Sequence, residues 1–225
     1  MERRTKTALG LLAQVVLGVG LMLTGWGWED WRGFFAHPAR AALLGVTLLG
    51  VVPVLTGWVD AQVFRKGKRP VGRQRWLLAG VMVVMMGLIW FLPYGDRRRV
   101  LVFAGSEAIR YGGLALYTAG HALALVALRA LGKQYSGYVT LQDDHQLVQT
   151  GIYAVIRHPI YLRALLMSLG LPLIFRSQLV FPFLVFIAVF VAVRIRQEEK
   201  LLAEQFGAEF EAYRRRTWRL LPYLF

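Results

Sequence analysis

Residues 145–161 read His-Gln-Leu-Val-Gln-Thr-Gly-Ile-Tyr-Ala-Val-Ile-Arg-His-Pro-Ile-Tyr. Two of the four histidines of the chain fall here, with two tyrosines, a glycine, an arginine and a proline, directly ahead of an apolar run. Ionisable and aromatic side chains at the mouth of a membrane bundle are costly unless they face a cavity, so the default reading is a site. Pro159 suits the first turn of a helix, where its missing N–H is not needed. The polar groups before it then sit at a helix N-terminus, which favours anions. Further on, Arg194, Glu198 and Glu199 close a second apolar run. A carboxylate there can hold an amino group or a hydroxyl. Tyr153 and Tyr161 offer stacking faces that also attract cations, and Gly151 lets backbone approach a ligand closely.

These residues need elements to position them, and composition says which kind. The chain has 225 residues, is 56% hydrophobic, and carries a net charge of +14. Its mean hydropathy is +0.47. Several apolar blocks reach the roughly 20 residues that cross a bilayer, so the chain reads as an integral membrane protein. In that setting the basic excess flanks spans and meets anionic headgroups, not nucleic acid. With no cysteine, a disulfide framework, a thiol nucleophile and a thiolate metal site are excluded. No other metal site is expected.

Spans are expected over about 7–25, 41–59, 76–93, 108–131, 159–175 and 179–196, about six in all. The basic leader reads as the start of a retained first span, not a cleaved signal. Trp26, Trp28 and Trp31 form an interfacial belt. Pro53 is expected to kink the second span, and Pro93 to close the third. The run 65–75 has six basic residues of eleven and puts both termini on the cytoplasmic side. Asp96-Arg-Arg-Arg99 then falls on the outer face, against the charge rule. Mid-span His121 reads as bonded to the backbone of a neighbouring helix. Glu107 and Arg110 read as a local ion pair. Spans five and six form a hairpin that returns residue 194 to the face that holds residue 158. Beyond 197, Leu202, Phe206, Phe210 and Tyr213 mark an amphipathic helix that lies on the membrane or folds over the loop, with Glu211 and Arg215 as an i,i+4 pair.

The pattern Gly151-x-Tyr153-x-x-x-Arg157-His158-Pro159-x-Tyr161 resembles the signature of the isoprenylcysteine carboxyl methyltransferase family, within the wider group of integral-membrane methyltransferases that includes phospholipid N-methyltransferases. His145-x-Leu147-Val148 fits upstream. Arg194-x-x-x-Glu198-Glu199-x-x-Leu202-x-x-x-Phe206-Gly207-x-x-Phe210-x-x-Tyr213 and Arg219-Leu-Leu-Pro222 fit downstream. The resemblance covers roughly residues 130–225, and the first half shares only a generic membrane character. It implies S-adenosylmethionine as cofactor, contacted by His145, Gln146, Leu147, Val148, Tyr153, His158, Pro159, Ile160, Tyr161 and Glu198, with Gly151 admitting it closely. It implies Arg194 toward the methyl acceptor. A glutamine used by eukaryotic members is Tyr138 here, so that contact is not carried over. Arg163 stands where the family usually has glycine. It either reshapes the acceptor pocket toward an anion or snorkels to the interface.

The implied reaction is attack of an acceptor on an activated methyl group, for which the protein mainly orients and excludes water. A carboxylate acceptor needs a cation to hold it, and Arg194 suits that. A thiol or amine would need a base, with His145, His158 and Glu199 as candidates. The expectation is therefore an all-α polytopic membrane helical bundle, one domain over 1–225. Residues 1–131 supply the N-terminal spans, and 132–225 the cytoplasmic-face cofactor loop and catalytic half. Its acceptor would be lipophilic or a small membrane-partitioning molecule, and its other partner membrane lipid. Oligomeric state stays open. Two other readings stand beside it: an NADPH-dependent membrane reductase, and a non-catalytic lipid-binding or transport protein.

Overall fold

A computed structural model describes residues 2–59, 72–105, 107–135 and 146–223. Eight α-helices run through them: α1 (Glu2–Trp26), α2 (Trp31–Phe35), α3 (Pro38–Leu55), α4 (Gly72–Arg98), α5 (Glu107–Leu131), α6 (Pro159–Ile174), α7 (Val180–Phe206) and α8 (Ala208–Arg216). There is no strand among the described residues. Five helices are long and apolar enough to cross a membrane: α1, α3, α4, α5 and α7. The expected fifth span, α6, is present but has 16 residues, about 24 Å at 1.5 Å per residue. It falls short of the roughly 30 Å hydrocarbon core.

The helices alternate direction. Trp26, His37, Asp96, Glu107 and the α6–α7 turn gather at one end. The α5 C-terminus, the α6 N-terminus, α8 and the chain's C-terminal segment gather at the other, here termed the cavity end. The α6–α7 hairpin returns residue 194 beside residue 158, as the spacing of the two motifs predicts.

Two apolar cores hold the bundle. Met22, Leu43, Leu92, Tyr117, Leu171 and Phe175 join α1, α3, α4, α5 and α6. Phe183, Ile187, Val191 and Ile195 of α7 form the second, with Leu220 against them. In lipid, apolar burial alone does not drive helices together, so small residues that admit close backbone packing matter more. α5 and α6 meet this way. A Cβ on Gly113 would lie 2.7 Å from the Gly170 carbonyl oxygen, and one on Gly170 would lie 2.6 Å from the Gly113 oxygen. Gly170→Ala is therefore expected to cost about 2 kcal/mol through overpacking. It should lower the melting temperature in detergent, and a melting curve unchanged from wild type would refute the backbone-to-backbone contact.

Several expectations need correction. Pro93 does not close α4, which continues to Arg98. Proline is tolerated inside membrane helices because neighbouring groups satisfy the freed backbone, and the extra turn carries Asp96 inward. Asp96 is the hub of the far end: it accepts hydrogen bonds from Arg40 (3.0 Å), Arg110 (2.8 Å twice) and Arg176 (3.2 Å). Arg97 pairs with Glu29 at 2.8 Å. Part of the arginine excess that offends the charge rule is thus neutralised within the fold. The 65–75 basic run lies mostly outside the described residues.

Nor does one amphipathic helix begin at 197. α7 runs on to Phe206, and the chain turns at Gly207, whose φ of 49° is left-handed. Glycine takes that conformation without a Cβ penalty. α8 then folds back over the loop. Glu211 pairs with Arg214 at 2.9 Å, one position short of the expected Arg215. Glu107 does pair with Arg110, at 3.4 Å. His121 bonds the Tyr117 carbonyl of its own helix, at 3.3 Å, instead of a neighbouring helix, and its ring lies 4.6 Å from the Tyr117 ring at a tilt of 44°.

Candidate functional site

Three segments build the cavity end: the 146–158 connection, the α6–α7 hairpin, and α8 with the residues after it. The connection is fastened by backbone pairing to the C-terminal segment. Trp218 N–H donates to Val155 (2.9 Å), Arg157 N–H to Trp218 (2.8 Å), and His158 N–H to Arg219 (3.1 Å). A buried carboxylate secures this seam. Glu199 accepts from Arg157 at 3.3 Å, from His158 Nε2 at 3.2 Å, and from Arg219 at 3.1 and 2.7 Å. Arg157 also donates to the Arg214 and Thr217 carbonyls. Glu199 and Arg157 are therefore positioning residues. Glu199, expected above as a possible base, spends both oxygens on the seam.

Between these segments lies a cavity of about 330 Å³, at the small end of ligand-binding pockets. Gln146, Leu147, Val148, Tyr153, His158, Ile160, Tyr161, Arg163, Arg194 and Glu198 all line it. Residues that are 48 positions apart in the chain, Gln146 and Arg194, thus share one wall-to-wall space. Gly151 and Pro159 shape the wall without lining it. Gly151 holds a left-handed φ of 61° at the start of the turn Gly151–Ala154, and buried Pro159 begins α6. His145 and Tyr138 lie outside the described residues. At the α6 N-terminus, the Tyr161 and Leu162 N–H groups already bond the His158 carbonyl. That leaves less open backbone for an anion than a bare helix start would offer.

Sequence reasoning missed the rest of the lining. Leu131, Gln134 and Tyr135 come from the end of α5 and beyond it, Leu78 from α4, Phe190 and Val191 from α7. Nothing in a generic apolar helix marks Leu78 or Phe190 for a site. The heptad-like recurrence Leu202, Phe210 and Tyr213 was legible as a buried face, and these residues cap the cavity.

The polar groups are sharply divided. Arg194 is 4% exposed and donates to Gln74 of α4 at 3.0 Å. Glu198 lies one turn further along α7. The Tyr153 ring is buried, and its hydroxyl has no hydrogen-bond partner among the described residues. Burial pushes that hydroxyl well above its ordinary range, with the nearby Glu198 carboxylate adding to the effect. It stays protonated and available as a donor. Tyr213, pushed up to about 12 chiefly by burial, donates to the Tyr153 carbonyl at 2.8 Å. An orphan buried donor, a carboxylate and aromatic walls together suit a ligand with hydroxyls, a cationic group and a flat ring.

Helical spans with a mainly apolar cavity that holds a few charged groups at one end define an integral-membrane protein with a candidate ligand site. The family model described as the isoprenylcysteine carboxyl methyltransferase family matches residues 113–204. Similar curated proteins include the protein-S-isoprenylcysteine O-methyltransferase of Saccharomyces cerevisiae, 32% identical over 115 residues, covering 50% of this chain and 48% of that protein. A probable counterpart from Oryza sativa subsp. indica is 27% identical over 52% of this chain and 62% of its own length. The chain spans about half the length of the curated relatives it matches. A solved structure of the eukaryotic intramembrane Ras methyltransferase ICMT superposes with a TM-score of 0.52 at 21% identity, over 95% of this chain and 74% of that one. That likeness concerns the fold, and it extends the resemblance beyond residues 130–225 into the first four spans. Residues 113–204 are thus similar to the isoprenylcysteine carboxyl methyltransferase family, in sequence and in fold.

Proposed function

We propose that this protein transfers a methyl group from S-adenosylmethionine to the carboxylate of a lipophilic acceptor, as the names of its relatives describe for S-isoprenylcysteine. The observation that carries it is one cavity lined by Gln146, Tyr153, His158, Tyr161, Arg194 and Glu198 together. The cofactor, when bound, supplies an activated methyl group on a good leaving group.

The residues present fit such a molecule. Glu198 would hold its amino group or a ribose hydroxyl, and the orphan Tyr153 hydroxyl would donate to a second oxygen. The 146–148 backbone and Ile160 would line the adenosyl part, and the rings of Tyr153 and Tyr161 would face the sulfonium. His145, outside the described residues, belongs to the same set. Arg194 would hold the acceptor carboxylate through a bidentate fork. A carboxylate attacks without losing a proton, so no base is required. Orientation and dryness are the protein's contributions. α8 closes the aqueous side, and the apolar side chains of Leu78 and Phe190 line the bilayer side. By the positive-inside rule the cavity end and both termini would face the cytoplasm, with cofactor entering from water and acceptor from the bilayer.

Calorimetry on detergent-purified protein tests this. S-adenosylmethionine and S-adenosylhomocysteine are expected to bind, and Glu198→Ala to weaken both by at least about tenfold, as loss of a charge-assisted hydrogen bond does. NADPH should not bind. If neither sulfur compound binds to folded protein, the reading fails. A bound nicotinamide would then favour a reductase.

A further inference from the structure

Arg163 lies on the second turn of α6, and its side chain lines the cavity. Its Nε is buried and has no hydrogen-bond partner, and among the described residues no carboxylate pairs with it. Its backbone is held rigidly. A Cβ on Gly120 of α5 would come within 3.2 Å of the Arg163 carbonyl oxygen, so α6 has no room to carry this residue elsewhere. Every other arginine at the cavity is committed: Arg157 and Arg219 to Glu199, Arg194 to Gln74. A guanidinium inside a membrane bundle without an anion is costly, and a partly buried cation that no protein group neutralises is a place for a ligand's charge.

Charge counting narrows the ligand. This step rests on the methyltransferase reading. S-adenosylmethionine brings one net positive charge at neutral pH. Arg163 and Arg194 add two, and Glu198 removes one. The Glu199 cluster holds two arginines against one carboxylate, so it contributes no spare anion. A monocarboxylate acceptor leaves the cavity cationic, whereas a dianionic acceptor brings it closer to balance. We propose that Arg163 is a specificity residue that binds a second anionic group of the acceptor, so that the preferred acceptor is a lipophile with two acidic groups. Arg194 holds the carboxylate that is methylated, and Arg163 the oxyanion that is not.

The test compares two probes that differ in one charge: N-acetyl-S-farnesylcysteine and N-succinyl-S-farnesylcysteine. Binding to full-length protein in neutral detergent is measured by calorimetry, for wild type, Arg163→Gln and Arg163→Lys, with sinefungin present, a non-reactive cofactor analogue that keeps the net positive charge of S-adenosylmethionine. Wild type should bind the diacid about tenfold more tightly, the worth of one charge-assisted hydrogen-bonded contact. Arg163→Gln should abolish that preference, weakening the diacid far more than the monoacid, and Arg163→Lys should keep part of it. Equal binding of the two probes by wild type, binding of neither, or equal weakening of both in Arg163→Gln would overturn the assignment. So would loss of the preference on adding phosphatidylglycerol, which would give Arg163 to a lipid headgroup instead. The wild-type comparison stands even if a variant misfolds. Transfer of labelled methyl is read on the same protein preparations, with labelled S-adenosylmethionine in place of the analogue. Preference without transfer refutes the methyltransferase reading alone, and transfer to both probes without preference refutes the role of Arg163 alone.

Discussion

Arg194→Ala is expected to lower kcat/KM for a prenylcysteine acceptor by roughly a hundredfold, while S-adenosylhomocysteine binding changes by less than about threefold. The size follows from truncating one partner of a buried, hydrogen-bonded charge pair, about 3 kcal/mol. Arg194 is held ready for this role. It sits on the α7 face that lines the cavity, is almost fully buried, and is braced by Gln74 from across the bundle. A lysine keeps the charge but loses the planar fork, so Arg194→Lys should fall between wild type and alanine. Glu198→Ala should do the reverse, losing cofactor affinity first. The pair of variants separates acceptor binding from cofactor binding on two residues four positions apart. Equal loss of cofactor affinity in both variants would mean that Arg194 and Glu198 act as one unit, and would remove Arg194 from the acceptor.

Asp96→Ala should produce the largest loss of stability of any single change outside the cavity. The Asp96 side chain is 1% exposed and gathers three arginines from α3, α5 and the α6–α7 turn. Arg40 is further fixed by the Phe34 and Gly33 carbonyls and lies over the Trp26 ring, 4.3 Å from its centroid. Removing the single carboxylate leaves these cations buried without their partner, a loss of about 3–5 kcal/mol. For a chain of this size that corresponds to roughly 10 °C in melting temperature. The hub is at the far end from the cavity, so molecules that remain folded should retain cofactor affinity. An unchanged melting curve in detergent would show that water or lipid already neutralises the arginines.

Much of this could be read directly from residues. Hydropathy located each of the six long or apolar helices, because a bilayer demands about 20 apolar residues in a row and few other constraints leave so plain a mark. The motif residues at 146–161 and 194–198 were legible as a site because charge and aromaticity are out of place among spans. α8 was legible as an apolar face, and the turn at Gly207 was not, since glycine at a helix break and glycine within a helix look alike in a string.

What the chain alone determined is the membrane class, the span order, the motifs and their charged and aromatic residues; the resemblance added Gln146, Leu147, Val148 and Ile160, which line the same cavity. What only the tertiary structure decided is which neighbour each charge meets. Glu198 and Glu199 are adjacent and chemically identical, yet successive helix positions point about 100° apart. One therefore lines the cavity and the other locks the seam to Arg157, His158 and Arg219. Asp96 likewise reads as one more charge in an arginine run, and becomes a hub only because α4 passes through Pro93 and three other segments bring their arginines to it. Partners of that kind are set by long-range packing, and no local spacing encodes them.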